Sequence, residues 1–130
     1  MSTFNAIGVA GSGVTVYRKW LDAVSDNIAN IDTVTRTSEK AFQARYVVAQ
    51  EASDGNGAQV GGVALGNAQG IVTYDPENPL ADNQGYVRRP DIDLGGQMAQ
   101  MMMAQRAYQA NLSVVDRAKD AYAAAINLGK

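Results

Sequence analysis

Five carboxylates sit close together in the second half of the chain, Asp75, Glu77, Asp82, Asp91 and Asp93. Paired acids of this kind can serve general acid/base catalysis, and clustered ones can hold calcium. The surrounding residues argue against both uses. The five lack the ligand order of a calcium loop around a central glycine, and the chain has no histidine to act as a partner base. Cysteine is absent too, which removes thiolate nucleophiles, disulfides and the usual zinc sets. Solvated loop and cap positions are the expected role of these acids. Near the start, Gly8-Val9-Ala10-Gly11-Ser12-Gly13 has the look of a phosphate loop, but no strand precedes it and no Lys-Ser/Thr pair ends it. Close helix contact through small residues is the better reading. No catalytic, cofactor-binding or metal-ligating residue is assigned, and no cofactor is expected.

Composition narrows the remaining choices. A chain of 130 residues has room for one modest core, too little for a multidomain enzyme. Eleven basic residues face thirteen acidic ones, a net charge of −2, and neither sign clusters strongly along the chain. Nucleic-acid binding therefore has no electrostatic footprint, and no small-molecule substrate is indicated. The first cations, Arg18 and Lys19, follow the apolar stretch instead of preceding it, so no cleaved export signal is expected. No run of about 18 uncharged apolar residues reads as a membrane span.

The polar residues must be positioned by long helices. Ile7, Val14, Leu21 and Ile28 repeat every seven residues, and Ala10, Tyr17, Val24 and Ile31 follow each by three. A second stripe runs through Leu94, Met98, Met101, Tyr108, Leu112, Val115, Tyr122 and Ile126. A strict heptad argues for coiled-coil packing, because a 3.6-residue stripe drifts off a seven-residue repeat. The expected fold is mainly α with a small β insertion, its long N- and C-terminal helices packed as an antiparallel coiled coil. Residues 1–32 and 91–130 would form the discontinuous helical domain, and 33–90 a linker, short strands and an ordered loop.

Within that frame the first helix should span about 3–30, some 42 Å at about 1.5 Å per residue. Gly8, Gly11 and Gly13 should weaken its start by roughly 0.5 to 1 kcal/mol each. Residues 33–40 read as linker, and the alternation through Phe42, Ala44, Tyr46 and Val48 as a strand. A turn at 53–57, a weak strand through Val60, Val63 and Leu65, a better one over 71–74 and a breaker-rich loop over 74–85 follow. Asp93 is placed to cap the last helix, which should run to about Leu128. Gln105 and Lys119 interrupt the second stripe, either to fix register and partner or because they lie on a solvated edge. Met98, Met101, Met102 and Met103 point around most of a helix, which suits contact on several sides.

Two words at opposite ends carry a family resemblance: Ser25-Asp26-Asn27-Ile28-Ala29-Asn30-Ile31-Asp32-Thr33, and Arg106-Ala107-Tyr108-Gln109-Ala110-Asn111 after the Met-rich turn. Together they resemble the bacterial flagellar axial proteins. Tyr74-Asp75-Pro76-Glu77-Asn78-Pro79-Leu80-Ala81-Asp82, Gly85-Tyr86-Val87 and Pro90-Asp91-Ile92-Asp93 are similar to the proximal-rod members of the basal-body rod family. The chain departs from that pattern at Gly95-Gly96, at Gln97, where an acid is usual, and in a shortened stretch before Tyr74.

The resemblance implies a structural subunit of the proximal rod, without a catalytic step, that assembles helically into the shaft that transmits torque across the periplasm. It implies as partners other rod proteins, copies of the same chain, an early-assembling rod/ring adaptor and the flagellar type III export apparatus. It also places Asn27, Ala29, Asn30, Tyr108, Gln109, Ala110 and Asn111 in the packed terminal core, where their amides would make contacts between chains. The alternatives are another rod paralogue at the base of the rod or, outside the family, a cytosolic coiled-coil adaptor. The adaptor reading leaves the Asn-Ile-Ala-Asn and Tyr-Gln-Ala-Asn words unexplained.

Overall fold

The computed structural model describes residues 3–129; expectations for residues 1, 2 and 130 lie outside them. Two helices, α1 (Thr3–Ala29) and α2 (Leu94–Leu128), hold nearly half the chain. Between them come β1 (Arg45–Glu51), β2 (Ala58–Leu65), β3 (Ile71–Tyr74) and β4 (Tyr86–Arg89). β1 pairs with β2, and β3 pairs with β4, as two separate two-stranded sheets. The protein is thus mainly helical with a small β part. No helix among the described residues is long and apolar enough to cross a membrane.

The chain divides into two compact units that cut across both helices. One comprises the described part of 1–21, 47–62 and 102–130, the other 22–46 and 63–101. In the first unit, the rings of Phe4 and Tyr122 meet edge to face at 4.9 Å, and Gly13 lies against the side chain of Asn111. Ascending α1 from 4 to 13 while descending α2 from 122 to 111 makes the pair antiparallel there. A Cβ on Gly13 would stand 2.9 Å from Asn111 Oδ1, so a glycine lets this amide approach the helix backbone. Gly8 and Gly11 have no neighbour within 4 Å of where a Cβ would stand, so the expected close contact through small residues holds at Gly13; α1 runs unbroken through all three.

The polar side of that segment also has work to do. Ser12 Oγ donates to the Val9 carbonyl at 2.6 Å and accepts the Ala58 N–H at 3.0 Å, joining the head of β2 to α1. The hairpin turn closes through Ala52 N–H to the Gly57 carbonyl at 3.0 Å, with Gly55 and Gly57 at φ of 72° and 110°. Those angles suit glycine and explain the Asp-Gly and Asn-Gly pairs.

In the second unit the core is small: Ala23, Val24, Ala41, Ala44 and Val87 are buried with Asn27 and Gln97. β3 and β4 pair antiparallel, Ile71 with Arg89 through Tyr74 with Tyr86. The 71–74 strand matches its expected span. β4 was not expected, since it follows directly on the breakers of the 74–85 loop. The 33–40 linker is more ordered than its aperiodic sequence suggests. Thr35 and Arg88 exchange both backbone hydrogen bonds at 2.9 Å, and the Arg88 guanidinium donates to the carbonyls of Thr37 and Gln69. A long-range bridge supplied the order that local pattern lacked.

The first strand also needs correction. The alternation from Phe42 suggested a strand over 42–48, but β1 starts at Arg45. Ala41 and Ala44 are instead packed into the core, with the Ala44 carbonyl taken by Gly66 N–H at 2.7 Å. At the other end, Asp93 caps α2 as expected: its carboxylate accepts the N–H of Gly95 at 3.2 Å and of Gly96 at 3.0 Å. A Cβ on Gly96 would come within 2.8 Å of that carboxylate, so the glycine that lowers helix propensity also makes room for the cap.

Candidate functional site

The helix faces are the candidate site, and burial divides each in two. On α1 the most buried residues are Ala10 and Val16 in the first unit and Val24, Ala23 and Asn27 in the second. The expected seam residues Ile7, Val14, Tyr17, Leu21, Ile28 and Ile31 are only half-buried, so the subunit's own core face is rotated away from the heptad's first positions. On α2, Ala104 is buried and Met101, Tyr108 and Val115 are half-buried. Met98, Leu112, Tyr122 and Ile126 are exposed, with Met102, Met103, Val114 and Leu128. Every described residue from Asp120 onward is exposed. Gln105 and Lys119 are exposed as well.

An apolar groove of about 450 Å³ lies within the first unit, between Val9, Val16, Tyr17, Trp20, Val47 and Asn111. Its lining is hydrophobic, with Asn111 supplying the polar edge.

The family-motif amides take different roles. Asn30 Nδ2 donates to the Asp26 carbonyl at 2.9 Å and its Oδ1 accepts from Thr33, which ends α1. Asn111 Nδ2 donates to the Ala107 carbonyl at 2.9 Å, holding its amide where Gly13 passes. Ala29, Gln109 and Ala110 are exposed, and the Gln109 carbonyl accepts the Ser113 hydroxyl. Asn27 corrects the expectation that these amides face other chains. It is fully buried, its Oδ1 accepting the Arg45 N–H at 2.8 Å and its Nδ2 donating to the Arg45 carbonyl and to Gln97 Oε1, each at 3.0 Å. Gln97 was not among the expected site residues; its signals were a polar amide in the first turns of an apolar stripe and its departure from the acid usual at that position of the family pattern.

The acids are occupied by loop geometry. Asp75 lies 3.8 Å from Arg89 and accepts from Asn78 at 3.1 Å, and Asp93 caps α2. Asp82 is the hub of the 74–85 loop, accepting Tyr86 N–H and Gln84 N–H at 2.9 Å and the Thr37 hydroxyl at 3.0 Å. The Tyr86 N–H, above all, and then the Thr37 hydroxyl and Gln84 N–H hold its carboxyl below the ordinary 3.8. A carboxylate lowered by folding adds stability above its unfolded value and loses it as pH falls through the folded one. Loop order is thus expected to persist through neutral and mildly acidic pH and to be lost only below about 3.8. A carboxyl-carbon NMR titration of Asp82 checks this, and a midpoint at or above the ordinary value would contradict it.

The sequence comparisons agree with one another. Residues 83–128, which contain β4 and α2, match the family model described as flagellar basal body rod FlgEFG protein C-terminal. Along its full length the chain is 36% identical to the flagellar basal-body rod protein FlgC of Salmonella typhimurium, with all of both chains covered. The chain belongs to the flagellar basal-body rod protein family. The FlgC proteins of Bacillus subtilis, at 27% identity over all of both chains, and of Aquifex aeolicus, at 30% over 94% of this chain and 93% of the relative, extend the similarity across distant bacteria. The rod protein described here is a structural subunit of the proximal rod of the flagellar basal body. The 25–33 word spans the end of α1 and the residues just after it, the 106–111 word lies in α2, and the 74–93 segment runs from the last residue of β3 through β4 to the start of α2.

Proposed function

We propose that this rod protein works by helix association alone, with no catalytic step, and that copies of it and of other rod proteins pack into a helical shaft that carries torque across the periplasm. The observation that carries the reading is the exposure of large apolar side chains on several sides of α2, among them Met102, Met103, Leu112, Val114, Ile126 and Leu128. Apolar surface exposed on more than one side of a helix favours burial against more than one neighbour, each fully buried side chain contributing roughly 1.5 to 3 kcal/mol. Four methionines adapt to neighbours of different shape, which suits a rod built of several protein types.

In this reading the terminal segments 1–32 and 91–130 act as one packing domain. Its antiparallel helices extend into coiled-coil contacts, and residues 33–90 fix the spacing between subunits. An early-assembling rod/ring adaptor meets the base of the assembly, and the flagellar type III apparatus exports the chain without a cleaved signal. The absence of cysteine suits that route, since no disulfide has to form.

A tagged copy expressed in a strain lacking its own gene tests the whole. Restored swimming, with the tagged chain in purified basal bodies at its intact mass, is expected. Restored swimming with the chain found only in the cytosol would overturn the assignment in favour of an adaptor.

A further inference from the structure

Asn27 does something that no helix surface requires. Its side chain is fully buried, and it makes both hydrogen bonds that a paired strand residue would make to Arg45: Oδ1 takes the Arg45 N–H at 2.8 Å and Nδ2 gives to the Arg45 carbonyl at 3.0 Å. A primary amide carries a donor and an acceptor side by side, as a peptide group does, so it can stand in for a ladder partner. An aspartate lacks the donor and a leucine lacks both.

The remaining Nδ2 hydrogen goes to Gln97 Oε1 at 3.0 Å, and Gln97 is itself 4% exposed. Together with the two Arg45 bonds, that contact fixes which way the Asn27 amide faces. Turned over, Nδ2 would confront the Arg45 N–H and Oδ1 would confront both the Arg45 carbonyl and Gln97 Oε1.

We infer that Asn27 is a surrogate strand residue that sets the register of β1, and that Gln97 is the positioning residue that holds its amide in the working orientation. The alternation from Phe42 onward would allow a strand to begin earlier; Asn27 anchors Arg45 as its first residue. The choice has consequences for the whole strand. A slip of one residue exchanges the face carrying Val47 and Ala49 for the face carrying Tyr46 and Val48. The three hydrogen bonds lie within one compact unit, and the inference stands independently of the rod assembly.

Backbone hydrogen exchange of the purified full chain, followed residue by residue by NMR, tests it. The Thr35 and Arg88 N–H groups, bonded to each other's carbonyls in the same unit, report its general opening. In the wild type the Arg45 N–H should be protected like these two. Gln97→Met, of similar shape but unable to accept from Asn27, should speed Arg45 exchange about tenfold, the worth of one hydrogen bond, and leave Thr35 and Arg88 unchanged. Gln97→Glu keeps the acceptor and should leave Arg45 protected. Asn27→Ala should speed Arg45 more than Gln97→Met does; if that variant does not fold, the two Gln97 variants decide. The inference is overturned if Arg45 is unaffected by Gln97→Met, if all three amides accelerate together, or if Gln97→Glu acts like Gln97→Met.

Discussion

Replacing Leu112 by aspartate is expected to abolish swimming in soft agar while the purified chain remains folded. Leu112 is 36% exposed in the subunit, so the free protein keeps the new carboxylate in water. Its cost there is that of an exposed helix substitution, about 1 kcal/mol or less. Assembly changes the balance: covering an unpaired carboxylate with a neighbour's apolar face costs several kcal/mol, and every copy in the shaft repeats the defect. Leu112→Ala, which only trims the contact, should swim more slowly without stopping. Ile28→Asp should block motility in the same way at the half-buried end of α1. Wild-type swarm diameters for both aspartate variants would remove the helix seam from the account of assembly.

Val24→Asp should fail at an earlier step. Val24 is 1% exposed in the core of the second unit, a core otherwise made largely of small residues. The change removes roughly 1.5 to 3 kcal/mol of apolar burial and adds roughly 2 to 7 kcal/mol for desolvating a carboxyl group, a total of roughly 4 to 10 kcal/mol. Domains of this size have about 5 to 15 kcal/mol to lose, and a core made mostly of alanines belongs at the low end. The variant should therefore show a collapsed urea midpoint or no cooperative transition by circular dichroism, and little intact protein in cells. A midpoint equal to that of the wild type would mean that the second unit does not depend on its buried core. Together the two substitutions separate folding from assembly, because one side chain is covered by its own chain and the other is open to a neighbour.

That distinction was only partly visible beforehand. Turn chemistry, breakers and caps act over two to four residues, and the features built on them emerged from local pattern: the 53–57 turn, the 71–74 strand and the Asp93 cap. The heptads announced two long helices, and the terminal words announced the family. What they could not convey was which side of α1 the subunit buries for itself. Ile7, Leu21 and Ile28 have the larger side chains, but Ala10, Val16, Ala23 and Val24 fill the core, since facing a close-packed neighbour rewards fit over size.

The sequence by itself determined the helices, the turn, the cap and the kind of protein this is, because each rests on neighbours in the chain or on short words. The tertiary structure alone decided where β1 begins, that β4 exists, that Thr35 bridges to Arg88, and that Asn27 faces inward. The contacts behind Asn27 join residues 18 and 70 positions apart. Hydrogen bonds over such separations obey no local periodicity; they form only once folding has brought the partners together and excluded the water that would otherwise satisfy them.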